Sequence, residues 1–470
     1  MPFLSPLRSI PGPVLARFTR LWELRALHRG NIEAVTIDLH RRHGNVVRLA
    51  PNRYSLTDPQ AAKDIYAISS KFTKSAFYDP FGTPLASRKD IFSTRNENHH
   101  QEDRRKIASM YSLTSLLSYE PYVDSSNEAL CEKMQGFAHR NQPFNLMQWT
   151  QYYAFDVIGE ITFGKAFGMM ETSSDVDGIL KAIHLTAFIP AYLGLLPELS
   201  NLFYRALFLL VKESPLIVLQ GFGNRALAER RNGNAPSDRE DFLAKCQKLN
   251  DAGKLDDGLA GRVPTGNVIA GSDTTGITLA AALYHLIRNP DSMRKLQHEL
   301  DEATRRGELS QVATFAEASK LPYLQAVIKE TLRIHPAVGK LLSRVVPAGG
   351  KELAGHYFPE GSVVGVNAWA IHRNPEIFGS DADIFRPERW MGPREEVARM
   401  EQHNYAFGAG SRTCIGKHIS LLEINKVLPQ LLRQFDFEGL DDRAWTTKNY
   451  WFVKPSYMCR VKVREGNAKV

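Results

Sequence analysis

The stretch FGAGSRTCIGKHIS, Phe407 to Ser420, sets Cys414 among three glycines and beside basic residues, then runs straight into apolar residues at helical spacing. A cysteine on a glycine-rich loop at a helix N-terminus gains thiolate character from the helix dipole and free backbone N–H groups. A thiolate is a metal ligand or a nucleophile. Glycines let a flat partner come close. A free cysteine taken alone is more often a small buried hydrophobe, so its surroundings must decide. Two other clusters carry chemistry. KETLR puts Glu330 and Arg333 three apart, where carboxylate and guanidinium share one helix face and can pair. Alone, such a pair is usually a solvated bridge worth about 0–1 kcal/mol. AGSDTT, Ala270 to Thr275, lies inside a helical pattern in which Ala270 and Thr274 share a face and Asp273 sets an acid beside a hydroxyl. Gly271 and Gly276 each cost about 1 kcal/mol against alanine in a helix interior, which predicts that something needs the room. The plainer alternative is a helix whose hydroxyls bond back to its own carbonyls.

The elements that must position these residues are mostly helices. Helical patterns cover Thr150–Gly164, Gly266–Arg288, Tyr323–Ile334 and Ile415–Phe435. GNVVRLAPNRYSLTDP, Gly44 to Pro59, reads as a hairpin around a Pro-Asn turn, while 354–367 and the C-terminal YMCRVKVR read as further small strands. The expected class is mainly α with minor β sheets. With 43% hydrophobic and 10% aromatic content over 470 residues, and no linker, repeat or low-complexity tract, one large domain is expected rather than three. Four scattered cysteines fit neither a disulfide framework nor a zinc site, and suit a reducing compartment. The formal charge of +8 admits nucleic acid, an anionic membrane surface or an acidic protein partner. No zinc finger, basic zipper or RNA-binding signature accompanies it, so no nucleic-acid partner is expected. No run reaches the ~18 uninterrupted apolar residues of a membrane-spanning helix. MPFLSPLRSIPGP, with prolines at 2, 6, 11 and 13, reads as a stiff hinge rather than a signal peptide. Residues 1–14 are therefore expected to be a hinge following a missing anchor, and 15–470 the single domain.

Phe407, Gly410, Arg412, Cys414 and Gly416 spell F-x-x-G-x-R-x-C-x-G in full, and here the chain resembles the haem-binding loop of the cytochrome P-450 family. The resemblance implies haem b as cofactor, Cys414 as its axial thiolate, Arg412 near a propionate, and Phe407, Gly410 and Gly416 shaping the loop. Thiolate ligation of that kind pushes electron density toward O–O cleavage. FRPERW matches the family's F-x-P-E-R-W pattern, and the likeness makes Glu330, Arg333 and Arg389 a buried structural triad. AGSDTT matches the family's oxygen-activation motif at every position, which casts Asp273 and Thr274 as a proton relay. His100 and Arg104, in HHQEDRRKIASMYS, and Arg344, in SRVVPAGG, fall where the family places propionate contacts. The likeness runs from SIPGP through the C-terminal strands, and more narrowly to the fungal microsomal, pisatin-demethylase-like group.

The resemblance implies a haem-thiolate monooxygenase that inserts one oxygen atom from O2 into a hydrophobic small molecule, by hydroxylation, O-demethylation or a related oxidation of fungal secondary metabolism. Electrons would come from a separate NADPH-cytochrome P-450 reductase, since no flavin or nicotinamide domain fits beside the haem fold and no G-x-G-x-x-G fingerprint is present. Arg104, Arg105, Lys106 and Lys417 would suit an acidic reductase surface. The likeness points to Phe77, Tyr78, Phe81, Phe188, Ala270, Thr274, Val338, Gly339 and Trp451 as pocket lining. Leu185 to Val211, apolar and broken by Pro190 and Pro197, reads as buried core or as an entrance segment dipping into a membrane surface. A monomer on the cytoplasmic face of the endoplasmic reticulum is expected; the group's usual hydrophobic anchor is absent from this sequence, either because the sequence starts after it or because the protein is peripheral. Two rivals are a haem-thiolate isomerase or peroxide-driven enzyme, which would leave AGSDTT idle, and a haem sensor without turnover. Substrate-dependent NADPH consumption separates the monooxygenase from both.

Overall fold

A helix of 32 residues, Asp257–Arg288, crosses the molecule in this computed structural model, which describes residues 6–82, 89–210, 240–440 and 443–464 with isolated positions between 211 and 239. Asp256 caps it, its side chain accepting from Leu259 N at 2.8 Å. The helix starts nine residues before the expected Gly266, because Gly258, Gly261 and Pro264 read locally as breakers but are carried within it. It packs along Leu146–Phe163, which Asn145 caps and Gly164 ends in the left-handed region at φ 77°.

That crossing explains the two interior glycines. A Cβ on Gly276 would stand 2.9 Å from Gln151 Cα, and one on Gly271 would stand 2.9 Å from Ile158 Cδ1. The room they make is taken by the neighbouring helix. Open space lies instead beside Gly266, where nothing comes within 4 Å.

Two more helices complete the frame. Pro322–Ile334 carries Glu330 and Arg333, and Lys417–Gln434 comes directly after the cysteine loop. Ile158, Ile277, Leu279, Val327, Ile328, Leu428 and Leu432 fill the space among these four helices, and all are buried. Burying that much apolar surface, at roughly 25 cal/mol per Å², holds the loop and the long helix at a fixed separation.

The β structure is peripheral. Val46–Ala50 and Arg53–Leu56 form the expected hairpin, with Val46 opposite Leu56. They head a five-stranded sheet that continues through Val363–Gly365 and Arg344–Val345 to Thr73–Lys74. Met458–Val463, the expected C-terminal strand, lies between Phe144–Asn145 and Phe435–Gly439. A hairpin of Thr446–Asn449 and Val453–Ser456 turns at Tyr450, Trp451 and Phe452. Of the proline-rich opening, residues 1–5 lie outside the described residues, and Leu7 and Ile10 are buried against the first strand, where Arg48 Nη2 donates to Leu7 O at 2.6 Å.

Candidate active site

A cavity of about 690 Å³ lies between the long helix and the cysteine loop. Cys414 has free surface, and that surface faces the cavity. The loop is fixed by its own backbone: Cys414 N donates to Phe407 O at 2.8 Å and Thr413 N to Gly410 O at 3.1 Å. Gly410, at φ 65°, passes so close to Tyr66 O that a Cβ would meet it at 1.9 Å, so glycine is required there by both conformation and space. Burial pushes the Cys414 thiol up, while the N–H groups of Gly416 and Lys417 and the charges of Arg104 and Lys417 pull it down. Phe407 and Gly416 line the cavity; Gly410 stands behind it.

Four cations, Lys74, Arg104, Arg344 and Arg412, line one edge of the cavity. Arg412 is held by Glu97 through Nε at 3.1 Å and Nη2 at 2.8 Å. Arg104 donates to Thr413 O at 2.8 Å, and Arg344 donates to Ser343 O at 3.0 Å and Leu342 O at 3.4 Å and lies over the Tyr66 ring. Burial and then the charges of Arg412, Arg104, Lys74 and Arg344 push His100 down to about 3, so it is a neutral ring among cations. An excess of positive charge beside a thiol, along one edge of an apolar cavity, fits a flat ligand with carboxylates on its rim and a metal at its centre. Haem has that form. The residues present therefore fit the group.

Beneath the cavity the triad is assembled. Arg333 meets Glu330 through two bonds of 2.8 and 2.7 Å, and Arg389 Nε adds a third at 3.0 Å. All three side chains are buried. Trp390 Nε1 also donates to Glu330, at 2.9 Å. On the opposite wall, Thr274 lines the cavity and its Oγ1 donates to Ala270 O at 2.8 Å.

Residues 11–463 match the family model for Cytochrome P450. The chain belongs to the cytochrome P450 family. Members of this family bind haem through a cysteine thiolate. Over 98% of its length the chain is 42% identical to a pisatin demethylase of Fusarium vanettenii, covering 90% of that protein. It is 37% identical to the cytochrome P450 monooxygenase gsfF of Penicillium aethiopicum, over 96% of this chain and 92% of the relative. With the monooxygenase cicH of Emericella nidulans the identity is 36%, over 99% and 95%.

In this cytochrome P450 the two residues expected to form a relay part company. Thr274 faces the cavity, but the Asp273 carboxylate is turned away from it, ion-paired with Lys454 Nζ at 2.8 Å and hydrogen-bonded by Gln151. Successive helix residues point about 100° apart, so one residue of the pair faces the cavity and its neighbour the helix flank. The basic surface divides similarly. Arg104 is drawn inward to Thr413 and Lys106 pairs with Glu102 at 2.8 Å, which leaves Arg105 and Lys417 exposed.

Six of the nine expected pocket residues line the cavity: Tyr78, Phe81, Ala270, Thr274, Val338 and Trp451. Phe77, Phe188 and Gly339 do not. Phe77 stacks behind Trp451, with ring centroids 5.9 Å apart, and Phe188 packs on the outer side against Tyr192 and Tyr450. Gly339 is pressed on the C-terminal hairpin, where a Cβ would stand 2.0 Å from Asn449 Nδ2. Alternation along an extended segment accounts for this, because Val338, Lys340 and Leu342 line the cavity while Gly339 and Leu341 face away. Sequence reasoning also missed Lys74, Glu97, Gln151 and Lys454. Lys454 lies 181 residues from Asp273, and no local pattern ties the two.

Proposed function

We propose that this cytochrome P450 inserts one oxygen atom from O2 into a small molecule, as the demethylase and monooxygenase names of its relatives suggest, and that this molecule is planar and partly aromatic, as the aromatic lining of the cavity suggests. One observation carries the reading: a cysteine sulfur and a threonine hydroxyl open onto one apolar cavity whose rim is cationic. Cys414 would hold the haem iron, with Arg104, Arg344 and Arg412 on its carboxylates and His100 among them as a neutral donor. Haem bound in this way supplies oxygen activation.

The chain's own residues do the rest. Tyr78, Phe81, Phe92 and Trp451 form an aromatic wall, with Phe81 and Trp451 centroids 4.7 Å apart, against which a flat substrate stacks. Thr274 Oγ1 holds an ordered water on the helix face. Asp273 and the partly exposed Lys454 connect that helix to bulk solvent, from which protons are replaced. Electrons come from a separate NADPH reductase, which docks near Arg105 and Lys417.

Two exposed apolar groups support attachment to a membrane surface: Val14, Leu15, Phe18 and Leu21 on one side, and Leu199, Leu202 and Phe203 on the other. Arg20 joins them through Glu198 at 2.7 Å. On the molecule's inner side Pro190, Tyr204 and Leu207 line the cavity, so the segment from Leu185 has one face at the entrance and one outward. Val176–Leu193 is long and apolar enough to cross a membrane by composition, yet Ile179, Ile183 and Ala191 are buried in the protein. We read it as lying on the molecule. Residues 15–470 then form one monomeric haem unit on the cytoplasmic face of the endoplasmic reticulum, led in by residues 1–14.

The test is spectroscopic. Reduced, carbon monoxide-treated protein should show a strongly red-shifted Soret band, and Cys414→His should bind haem without it. Persistence of the band in the variant overturns the ligand assignment. Absence of NADPH consumption by the wild type, with reductase and any ligand that binds, overturns the monooxygenase reading.

A further inference from the structure

Polar atoms buried without partners are uncommon in folded proteins and point to something that answers them. Among the described residues lining the cavity, every such side-chain atom is a nitrogen: Arg262 Nε and Nη2, Asn267 Nδ2 and Lys340 Nζ. Among the described residues lining the cavity the one carboxylate is Asp90, and it already accepts from Phe92 N, Ser93 N and Ser93 Oγ.

Asn267 is the best placed of the three. It is 7% exposed and lies three, four and seven residues before Ala270, Gly271 and Thr274, on the face they present to the cavity. Its distance from Thr274 along the axis is about 10 Å. Tyr111, buried in the turn Ala108–Tyr111, donates its hydroxyl to Asn267 Oδ1 at 2.6 Å. Turning the amide over would leave the phenolic hydrogen without that acceptor. The bond therefore fixes the amide with its NH2 toward the cavity.

We propose that Asn267, oriented by Tyr111, donates a hydrogen bond to an acceptor oxygen of the substrate, and so sets which part of a planar ligand lies near Thr274. This rests on the monooxygenase reading and adds the ligand's chemistry: an aromatic molecule carrying a carbonyl, ether or hydroxyl oxygen about 10 Å from the reacting end, measured by the helix rise between the two residues. The aromatic wall sets the plane, and Asn267 sets the direction within it.

Three tricycles of nearly one shape test it on the haem-loaded enzyme: fluorenone, an acceptor only; carbazole, a donor only; and fluorene, neither. Dissociation constants are read from the Soret shift on binding. Wild type should bind fluorenone about three- to tenfold tighter than fluorene and carbazole, the range of one net hydrogen bond. Asn267→Leu should bring the fluorenone to fluorene ratio close to one. Tyr111→Phe, which keeps the amide but frees it to turn, should narrow the gap between fluorenone and carbazole by strengthening carbazole. Equal binding of all three by wild type, or an unchanged ratio in Asn267→Leu, overturns the proposal. NADPH consumption with reductase is recorded on the same samples. Consumption together with an unchanged ratio overturns the anchor and leaves the monooxygenase reading standing. The expected ratio without consumption by any ligand supports the anchor and overturns that reading.

Discussion

Beneath the cavity, Glu330 accepts hydrogen bonds from five N–H groups: two on Arg333 and one each on Arg386, Arg389 and Trp390. Above it, Arg262, Asn267 and Lys340 present nitrogens that nothing in the described residues answers. Both regions are buried and polar, yet only the first is complete. A complete buried network has one low-energy arrangement and gives way together, whereas an incomplete one lowers stability until a ligand or ordered water answers it. The lower region holds the cysteine loop's foundation, and the upper wall is kept ready for a substrate.

The comparison breaks most visibly at Glu330. Arg333 spends its remaining donors on His372 O, Ala382 O and Ile384 O, so Glu330 is its carboxylate partner among the described residues, while Arg389 shares Glu330 with the less buried Asp381 and also donates to Phe378 O. Removing one partner of a buried ion pair costs about 3–5 kcal/mol, a large share of a domain's stability. Glu330→Ala should give little soluble, haem-loaded protein, as measured by expression and the haem-to-protein absorbance ratio. Full haem content at normal yield would show the network to be dispensable.

Lys340 tests the other side. Burial pushes its ammonium down from 10.5 to about 8, with Glu23 and Glu33 opposing part of that shift. A lysine depressed in the folded state resists a proton that the unfolded chain accepts. Its unfavourable contribution is thus absent above about pH 10.5, grows as pH falls toward 8, and is complete below that. Lys340→Met should stabilise the protein by about 2–3 kcal/mol at pH 7, with the gain shrinking toward zero near pH 10. Thermal unfolding of both proteins at the two pH values reads this out. A gain independent of pH would remove the charge from the account.

How much of this was legible in the sequence divides along the same line. The Glu330–Arg333 pair and the cysteine loop could be read because their members sit at short fixed spacings, three residues from Glu330 to Arg333 and seven from Phe407 to Cys414, whereas Arg389, 59 residues from Glu330, was reached only through the likeness of FRPERW to the family pattern. The helices around them were legible through periodicity. Contacts across the chain were not. Tyr111 and Asn267 are 156 residues apart, and Glu97 meets Arg412 over 315. The glycines of the long helix were correctly singled out as making room, but what takes that room was not legible, since a spacing cannot tell a ligand's approach from a helix's. Phe77, Phe188 and Gly339 lie off the cavity for a related cause: neighbours in sequence face different ways, on the 3-10 turn Ala76–Phe81, the helix Ile179–Leu193 and the extended segment from Val338 to Leu342, and residue type does not say which faces inward.

A smaller effect is expected at Lys454, whose side chain is 25% exposed where that of its partner Asp273 is 1%. Lys454→Met leaves Asp273 with Gln151 alone, and an incompletely answered buried carboxylate costs about 1–3 kcal/mol. Lys454→Arg should restore most of it. If Lys454→Met unfolds at the wild-type temperature, the pair is not what holds Asp273 off the cavity.

Thr274 should show the smallest change in stability and the clearest change in chemistry. Its hydroxyl bonds to Ala270 O, within its own helix, so its loss strands no distant partner. Alanine is also the better helix former, and Thr274→Ala should unfold within about 0.5 kcal/mol of wild type. Ligand affinity should hold as well, because a methyl-sized surface toward the cavity remains. What disappears is one of the two hydroxyls, with Thr278, that the long helix turns to the cavity and that bond back to helix carbonyls, and with it, on the proposed reading, the position of the water that passes protons inward. NADPH should still be consumed with reductase and substrate, but a larger share should appear as hydrogen peroxide and less as oxygenated product. Asp273→Asn, altered one residue along but on the flank, should instead slow consumption and change the product share less. Identical coupling in Thr274→Ala and wild type would remove Thr274 from the relay. Equal loss of coupling in both variants would erase the division between cavity face and flank that the structure draws between these two neighbours.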